Sequence, residues 1–307
     1  MAQSAARWSE PEGAAASAVA GPVPTTLAAP LPPDGGRLDR MPRLLRVALT
    51  GIAFAFFFGG SLALGLVAAI IAPWMSSAST DRWAFTRALN RHLGHFAAYM
   101  RGTGLISYWH PRLPPGRRSG AYLLVANHPT LIDVILLLSS FPELTCVVKA
   151  RWYANPLLGA LLRRTVLIGG AGQPGDGEGP GETPVFRRIE AMLEAGVPVL
   201  VFPEGTRSAI DHLRRFRRGA IEAAVRTGVP ILPLFIAPSE PILRKGRPFW
   251  DVPARTCRYR FEWFPAIETR GRGLDPRRLV QQLQQQYNDR FARLLAEREA
   301  PPGDTPR

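Results

Sequence analysis

Cysteine and lysine are scarce in this chain, and each shortage narrows what the protein can be. Among the 307 residues there are two cysteines, Cys146 and Cys257, with neither a CxxC pair nor metal-ligand spacing. This pattern indicates neither a disulfide framework nor a zinc site, and we predict no bound metal. Lysine occurs only at Lys149 and Lys245, so arginine supplies nearly all of the positive charge.

The charge balance is strongly basic. A formal net charge of +14 would suit nucleic acid, an anionic membrane or a phosphorylated substrate. The chain lacks zinc-finger, helix-turn-helix and aromatic-basic recognition motifs. We therefore predict no nucleic-acid partner, and a lipid that carries a phosphate would explain the charge.

Charged residues are absent from Val47 to Ala72. As a helix this run would be about 39 Å long, which exceeds a hydrocarbon core of about 30 Å. It is also longer than the apolar region of a signal peptide, which has roughly 7–15 residues. We predict that residues 37–104 form a membrane anchor, made of this run and an amphipathic interfacial helix from Arg82 to about Thr103.

Basic residues flank both ends of the apolar run, so the positive-inside rule does not fix the orientation of a single span. They are Arg37, Arg40, Arg43 and Arg46 on one side and Arg82, Arg87 and Arg91 on the other. Near the middle of the run lies Gly59-Gly60. We hypothesise a re-entrant helical hairpin that bends there and leaves both flanks on the cytoplasmic side of the cell (inner) membrane, together with the domain that follows. A single span is the alternative.

Composition divides the rest of the chain. Residues 1–36 are rich in Ala, Pro, Gly and Ser without periodicity, and we predict a disordered tail. Residues 105–299 are predicted to be a globular domain, followed by a short tail at 300–307. Within that domain we predict a flexible loop at 171–184, because it contains the run AGQPGDGEGPGE.

Short apolar runs alternate with helical patterns through the globular domain. This rhythm predicts an α/β fold, with a mostly parallel sheet flanked by helices. The predicted strands are Tyr122–Ala126, Thr145–Lys149, Thr165–Ile168, Val197–Phe202, Ile231–Ile236 and Thr256–Phe264. The predicted helices are Leu131–Ser139, Leu157–Arg163, Val185–Ala195, Ala220–Thr227 and an amphipathic helix that begins at Asp275-Pro276.

The first motif with chemical content is Asn127-His128-Pro129-Thr130-Leu131-Ile132-Asp133. His128 and Asp133 cannot share a face of one helix, because five steps of about 100° leave them some 140° apart. They can meet if His128 follows the strand and Asp133 lies in the first helical turn, where the carboxylate would fix the imidazole tautomer. The alternative is structural: Thr130-x-x-Asp133 also fits a helix-capping pattern.

The second motif, Phe202-Pro203-Glu204-Gly205-Thr206-Arg207-Ser208, follows an apolar strand. Gly205 permits close backbone approach, so neighbouring N–H groups can point at an anion. Arg207 offers a planar fork that suits phosphate. An ordinary polar turn is the alternative interpretation.

Taken together, these motifs resemble the lysophospholipid acyltransferase family, which includes the 1-acylglycerol-3-phosphate (PlsC-type) acyltransferases. The NHxxxxD block is Asn127 to Asp133, the FPEGTR block is Phe202 to Arg207, and a V-P-I-x-P block follows at Val229 to Pro233. Lys149 and the stretch that begins at Asn155 also look like the family. The resemblance covers roughly Leu105 to Ile267.

The resemblance implies an acyltransferase domain at 105–299 that moves a fatty acyl group to the hydroxyl of a lysophospholipid. The implied acceptor is 1-acylglycerol 3-phosphate and the product phosphatidic acid. The co-substrate would be acyl-CoA or acyl carrier protein, with no cofactor and no metal. The implied roles are general base for His128, orientation of that base for Asp133, support for Asn127 and Thr130, and acceptor or phosphate binding for Lys149, Glu204, Gly205, Thr206 and Arg207.

One block departs from the family pattern. An arginine usually follows the strand at Thr165–Ile168 and helps to hold the acceptor, but here Gly169-Gly170-Ala171-Gly172 stands in that place. Substitutes would be Arg163, Arg164, Arg187 or Arg188. Other acceptors therefore stay open, such as an amino-acid lysolipid, glycerol 3-phosphate or a specialised lipid, as does a non-catalytic lipid-binding protein. The sequence specifies no oligomeric state.

Overall fold

A computed structural model describes residues 27–28, 38, 40–71, 79–115, 120–155, 158–170, 184–240, 242 and 250–299. Eight helices and eight strands lie in these ranges. The helices are α1 (Arg43–Ile71), α2 (Ser79–Gly102), α3 (Asp133–Ser140), α4 (Ala150–Tyr153), α5 (Gly159–Leu162), α6 (Pro184–Glu194), α7 (Gly219–Thr227) and α8 (Pro276–Glu299). The strands are β1 (Leu27–Ala28), β2 (Ile106–Tyr108), β3 (Leu123–Ala126), β4 (Thr145–Val148), β5 (Ile168–Gly169), β6 (Val199–Val201), β7 (Ile231–Pro238) and β8 (Cys257–Trp263).

The strands form one mixed sheet in the order β1-β8-β7-β3-β6-β4-β5, and β2 also pairs with β8. From β7 through β3, β6, β4 and β5 all neighbours are parallel, whereas β8 runs antiparallel to β7 and to β1. The predicted α/β fold with a mostly parallel sheet is confirmed. The carboxyl ends of β3 and β6 lie side by side, which brings the segments after them together.

Helices cover both faces of the sheet, and the alternation of side chains along β3 shows how. Leu124 and Ala126 belong to the core beneath α2 and α3, while Leu123 and Val125 belong to the core beneath α6, α7 and α8. All four side chains are fully buried. A strand covered on both faces reads as a continuous apolar run, as LLVA does here.

Element boundaries differ from the predicted ones mainly at the sheet edge. The strand predicted at Thr165–Ile168 is instead the two-residue β5 at Ile168–Gly169, which pairs with Val147 and Val148 of β4. A strand this short leaves no alternation for a sequence pattern to detect. Strands β1 and β2 and the one-turn helix α4 were not predicted, for the same reason of length.

The N-terminal helix α1 runs unbroken through Gly59 and Gly60, so the predicted bend at these glycines is wrong. Gly60 faces α2, where an added Cβ would lie 2.1 Å from Cε1 of His92. The glycine therefore allows two helices to approach closely. A ring nitrogen of His92 lies 3.1 Å from the Phe57 carbonyl and the Tyr99 hydroxyl donates to the Leu49 carbonyl at 3.2 Å, so the two helices are antiparallel.

Of the described helices, α1 alone is long and apolar enough to cross a membrane, and 17% of its most apolar window is buried. Its outward surface carries large apolar side chains: Leu44, Leu45, Ile52, Phe56, Phe58, Leu66, Val67, Ile70 and Ile71. Arg46, near its start, donates to the Pro253 carbonyl at 2.6 Å. Arg82, near the start of α2, donates to the Thr165 carbonyl at 2.6 Å. Both ends of α1 thus lie close to the globular domain.

Three predicted segments lie wholly or mostly outside the described residues. They are the tail at 1–36, of which only 27–28 are described, as β1, the loop at 171–184, which is described only from residue 184, and the tail at 300–307.

Candidate active site

The candidate site lies at the carboxyl edge of the parallel strands, where the segments after β3 and β6 meet. His128 follows the last residue of β3 by two positions, and the FPEGTR segment begins directly after β6. The Ser208 backbone N–H donates to the His128 carbonyl at 2.8 Å, which joins the two segments. Both sequence motifs therefore share one edge of the sheet.

His128 and Asp133 are in direct contact. The imidazole Nδ1 lies 2.9 Å from Asp133 Oδ2. Asp133 is the first residue of α3 and is fully buried, whereas the His128 side chain is 16% exposed. A carboxylate can only accept hydrogen bonds, so the proton of the neutral imidazole belongs on Nδ1 and Nε2 carries the free lone pair.

Buried donors hold Asp133 in place. The Thr130 backbone N–H donates to Oδ2 at 2.7 Å, and the Thr130 hydroxyl donates to Oδ1 at 2.5 Å. The same hydroxyl lies 2.8 Å from the hydroxyl of Tyr259 on β8. Both side chains are buried, so the carboxylate has a fixed orientation. No sequence motif indicated Tyr259, because β8 is distant in sequence and approaches Asp133 only in the folded structure.

Asn127 fixes the strand end that precedes His128. Its amide Nδ2 donates to the Ile236 carbonyl at 2.9 Å, and its Oδ1 accepts from the Ile236 N–H at 2.7 Å. This pair of bonds imitates a strand ladder between β3 and β7 and is fully buried. The Asn127 side chain therefore holds the backbone in place, and the next residue, His128, carries the imidazole that can act in catalysis.

Glu204 points inward. Its Oε1 accepts from the His128 N–H at 3.1 Å and from the Ser208 hydroxyl at 2.6 Å, and Oε2 accepts from the Arg214 N–H at 2.9 Å. Burial raises the pKa of this carboxyl above its usual value, and the three hydrogen bonds offset only part of that rise. The buried carboxylate therefore ties the segment that carries His128 to the turn that carries Arg207.

The other three residues of the turn lie at the surface of the site. Gly205 has φ +67° and is exposed, while Thr206 and Arg207 are half-buried. Lys149, at the end of β4, has its Nζ 3.5 Å from Thr206 Oγ1. Burial lowers the pKa of the Arg207 guanidinium below its usual value, and the nearby Asp133 carboxylate offsets only part of that fall. Two cations and a hydroxyl thus meet beside the His–Asp pair.

Phe202 gives the imidazole a rigid support. The rings of His128 and Phe202 stack with centroids 4.2 Å apart and planes 21° from parallel. The imidazole is thus held on one side by a carboxylate and on one face by an aromatic ring. Such a group can accept a proton at Nε2 without rearranging.

Comparison with known proteins shows what this chain is similar to. Residues 112–237 match the family model described as Acyltransferase. The 1-acyl-sn-glycerol-3-phosphate acyltransferase alpha of Mus musculus is 26% identical over 223 residues, which cover 71% of this chain and 72% of that protein. The chloroplastic 1-acyl-sn-glycerol-3-phosphate acyltransferase BAT2 of Brassica napus is 28% identical over 123 residues. This chain is thus similar to these acyltransferases in the part that carries both motifs.

Coverage and a solved structure complete the comparison. The Brassica match covers 40% of this chain and 34% of that relative, so this chain spans about a third of the relative's length. The crystal structure of the 1-acyl-sn-glycerophosphate (LPA) acyltransferase PlsC from Thermotoga maritima superimposes with a TM-score of 0.55 at 20% identity. The match covers 84% of this chain and 98% of that one. At this identity the likeness shows a shared fold.

The four arginines considered as substitutes after β5 have different positions in the structure. Arg188, on α6, donates to the Gly169 carbonyl at 2.6 Å and so reaches the end of β5. Gly169 precedes Gly170, whose N–H donates to the Val148 carbonyl next to Lys149. Arg163 donates to the Tyr153 carbonyl. Within the described residues, the guanidinium groups of Arg164 and Arg187 form no hydrogen bond. Among the described residues, Arg188 is thus the one of the four with a hydrogen bond at the sheet edge near Lys149.

Behind Arg207 lies a cavity of about 270 Å³ that the motifs did not indicate. Its lining includes Asn127, Arg207, Arg214 and Arg298 with several apolar side chains. Arg298 donates to the Pro238 carbonyl at 2.6 Å, and burial lowers its pKa. Arg298 lies at the end of the last helix, so its place in the site follows only from tertiary packing.

Neither cysteine lies in this site, and the described residues contain no side-chain cluster that could hold a metal ion. Cys146 and Cys257 are free and buried. Burial raises the pKa of each thiol to about 12, so both stay protonated near neutral pH. In the described ranges, no three His, Cys, Asp or Glu side chains are grouped so as to hold a metal ion.

Proposed function

We propose that this acyltransferase transfers a fatty acyl group from a carrier thioester to the hydroxyl of a lysophospholipid, with 1-acylglycerol 3-phosphate as the acceptor. The observation that carries this proposal is the 2.9 Å contact between His128 and Asp133 beside a turn that bears Arg207. The curated relatives are named for the same acceptor.

In the proposed reaction His128 is the general base. As the acceptor oxygen attacks the thioester carbonyl carbon, Nε2 takes the hydroxyl proton and the imidazole becomes an imidazolium. The buried Asp133 carboxylate stabilises that charge through Nδ1. When the tetrahedral intermediate collapses, the C–S bond breaks and the leaving thiolate takes the proton from Nε2. The base returns to its starting form and no acyl-enzyme is formed.

We assign the acceptor phosphate to the surface formed by Lys149, Thr206 and Arg207. These groups offer an ammonium, a hydroxyl and a guanidinium fork next to the imidazole, the donors that suit a phosphate. Arg188 adds a guanidinium at the end of β5 and stands where the arginine of the family's missing block is expected. Glu204 supports this surface from below, because its oxygens already accept three protein donors.

Arg207→Ala should raise the KM for the lysophospholipid by about tenfold to a hundredfold, the loss that follows when a charge-assisted hydrogen bond is removed. The change in kcat should be much smaller, because the arginine acts on the bound head group. Steady-state kinetics with varied acceptor would measure the split. Arg293→Ala, at an exposed position on α8, is the matched control. A fall in kcat at constant KM would contradict this role.

The function itself is tested with purified protein, an acyl thioester and a panel of acceptors. We expect transfer to 1-acylglycerol 3-phosphate, weaker transfer to a 1-acylglycerol that lacks the phosphate, and no transfer by His128→Ala. Mass spectrometry of the lipid products identifies the acceptor. A protein that binds the lipid but forms no product would support the lipid-binding alternative instead, and a preference for another lysolipid would revise the acceptor.

We further propose that the exposed apolar side of α1 lies in the cytoplasmic leaflet of the cell membrane, without crossing the bilayer. Arg46 and Arg82 tie the start of α1 and the start of α2 to the same domain, so a perpendicular span would pull one of these contacts apart. Cysteines introduced at the exposed positions Arg40 and Ala84 should both react with an impermeant maleimide from the cytoplasmic side. Cys146 and Cys257 are buried and give little background. Labelling from opposite sides would indicate a span.

A further inference from the structure

A second, larger concavity lies on the other side of the FPEGTR turn, and nothing in the proposed reaction uses it. It has a volume of about 1260 Å³ and lies between the segment that leads into α7 and the first turns of α8. Its polar lining consists of Arg215, Arg217, Arg218, Glu222, Arg277, Gln281, Gln284 and Gln285. We call it the arginine groove.

The arginine groove has a large excess of positive charge. It contains four arginines and one acid, Glu222, which is already paired with Arg218 at 2.9 Å. The guanidinium groups of Arg215, Arg217 and Arg277 are exposed, and within the described part of the chain they form no hydrogen bond or ion pair. Exposed cations grouped without acids attract a polyanion.

The groove adjoins the candidate active site. The Arg217 Nε lies 2.8 Å from the place that a Cβ on Gly205 would occupy. Gly205 follows Glu204, whose carboxylate accepts from the His128 N–H. The Arg217 N–H also donates to the Pro203 carbonyl, and the Phe216 N–H donates to Gln284 Oε1 at 2.7 Å. Arg217, which lines the groove, therefore contacts the turn that carries Arg207.

The lining distinguishes a protein surface from a nucleotide. A purine would need an exposed ring to stack on, but the two aromatic side chains of the groove, Phe186 and Phe216, are 6% and 4% exposed. Arg226 already covers Phe186, with its Cζ 5.1 Å from the ring centroid. Small-molecule pockets hold roughly 300–1,000 Å³. A larger, open groove of arginine and glutamine matches a charged protein partner better.

We propose that the arginine groove docks the acidic surface of an acyl carrier protein, so that the carrier's acyl thioester enters the site past Gly205. This inference rests on the proposed function, since it selects the donor for the same reaction. Charge complementarity is the argument, because a carrier that presents several carboxylates would meet the three arginine side chains that have no partner among the described residues.

The decisive comparison is Arg277→Glu against Arg278→Glu. The two residues are adjacent, exposed, and change the net charge equally, but only Arg277 lines the groove. Both lie in the first turn of α8, where the helix dipole favours an acid. Arg278 also pairs with Asp275 at 3.9 Å, but an exposed pair contributes little, so neither variant should lose much stability. The pairs Arg215→Glu/Arg277→Glu and Arg278→Glu/Arg293→Glu extend the comparison.

With one lysophospholipid and matched acyl chains, we expect the ratio of kcat/KM for acyl carrier protein to that for acyl-CoA to fall about tenfold in Arg277→Glu, and further in the groove double variant. The ratio should stay at the wild-type value in both control variants. The wild-type KM for the carrier should rise with salt, because exposed charges are screened. An equal loss with both donors, or no difference between the 277 and 278 variants, would overturn the inference.

Direct binding separates this inference from the proposed function. Fluorescence anisotropy with labelled acyl carrier protein should show weaker binding to Arg277→Glu than to Arg278→Glu. If the wild type transfers from acyl-CoA but neither binds nor uses the carrier, the docking inference fails and the function stands. If it binds the carrier through the groove but forms no product from either donor, the function fails and the docking surface remains.

Discussion

Replacing His128 with alanine is expected to lower kcat by about 10³-fold, within the range of about 10²–10⁴ that a positioned general base contributes. This loss corresponds to about 4 kcal/mol of transition-state stabilisation. The remaining rate would come from holding the acceptor and the thioester side by side, which the variant still does.

The fold should survive this change. The His128 side chain is 16% exposed, and its imidazole Nδ1 bonds to Asp133. The backbone bonds that hold the segment, from its N–H to Glu204 and from Ser208 to its carbonyl, do not involve the imidazole. Circular dichroism and thermal unfolding should therefore match the wild type, so that a loss of kcat can be assigned to chemistry.

The chain offers a matched control at His212. This residue also lies beside an aspartate, with Nδ1 2.8 Å from Asp211 Oδ1, but the two side chains are 62% and 81% exposed. His212→Ala should retain kcat within about twofold, since exposed pairs contribute little. Near-normal transfer by purified His128→Ala would refute the proposed base.

Much of the fold could be predicted because its elements follow simple periods. The buried strands appear as apolar runs. Glycines follow α6 and α7 and adopt the left-handed conformation typical of helix ends, with φ +81° at Gly196 and +68° at Gly228. The arrangement of α1 and α2 was harder to predict from the sequence. Gly59-Gly60 suggested a bend because glycine weakens a helix, but the helix continues and Gly60 instead makes room for His92. Whether a glycine bends a helix or lets another side chain approach depends on the residue that lies beside it in the folded structure.

The candidate site shows the same division. His128 and Asp133 are five residues apart, so a strand-to-helix turn was enough to predict that they approach each other. Tyr259 and Arg298 come from distant elements, and no local pattern indicates that they lie beside the motif residues. Glu204 was assigned to the acceptor from its motif, while burial turns its carboxylate toward backbone N–H groups. Sequence gives the residue type, but its direction depends on packing.

Asp133→Asn is expected to lower kcat by about 10²–10³-fold, because the amide keeps the shape of the carboxylate but cannot stabilise the imidazolium by charge. The side chain should keep its orientation. The Thr130 N–H donates at the Oδ2 position, so the amide oxygen belongs there and can still accept from His128 Nδ1.

Folding should tolerate the amide, because the buried hydrogen bonds can reverse. In the wild type Thr130 donates to Asp133 Oδ1 and has its hydroxyl 2.8 Å from that of Tyr259. With asparagine, the amide N–H would donate to the Thr130 hydroxyl, which would then donate to Tyr259. A melting temperature close to the wild type should accompany the loss of kcat. Asp289→Asn, an exposed change on α8, is the control for the lost negative charge.

The double variant His128→Ala/Asp133→Asn shows whether the two residues act as one unit. If Asp133 works only by orienting and stabilising the imidazole, its substitution should cost nothing further once the imidazole is gone, and the double variant should be as slow as His128→Ala alone. Coupling would then equal the whole effect of the single Asp133 substitution. Multiplying losses would mean that the carboxylate acts on the reaction by another route. If Asp133→Asn kept the wild-type kcat, the role of Asp133 would instead be limited to capping α3.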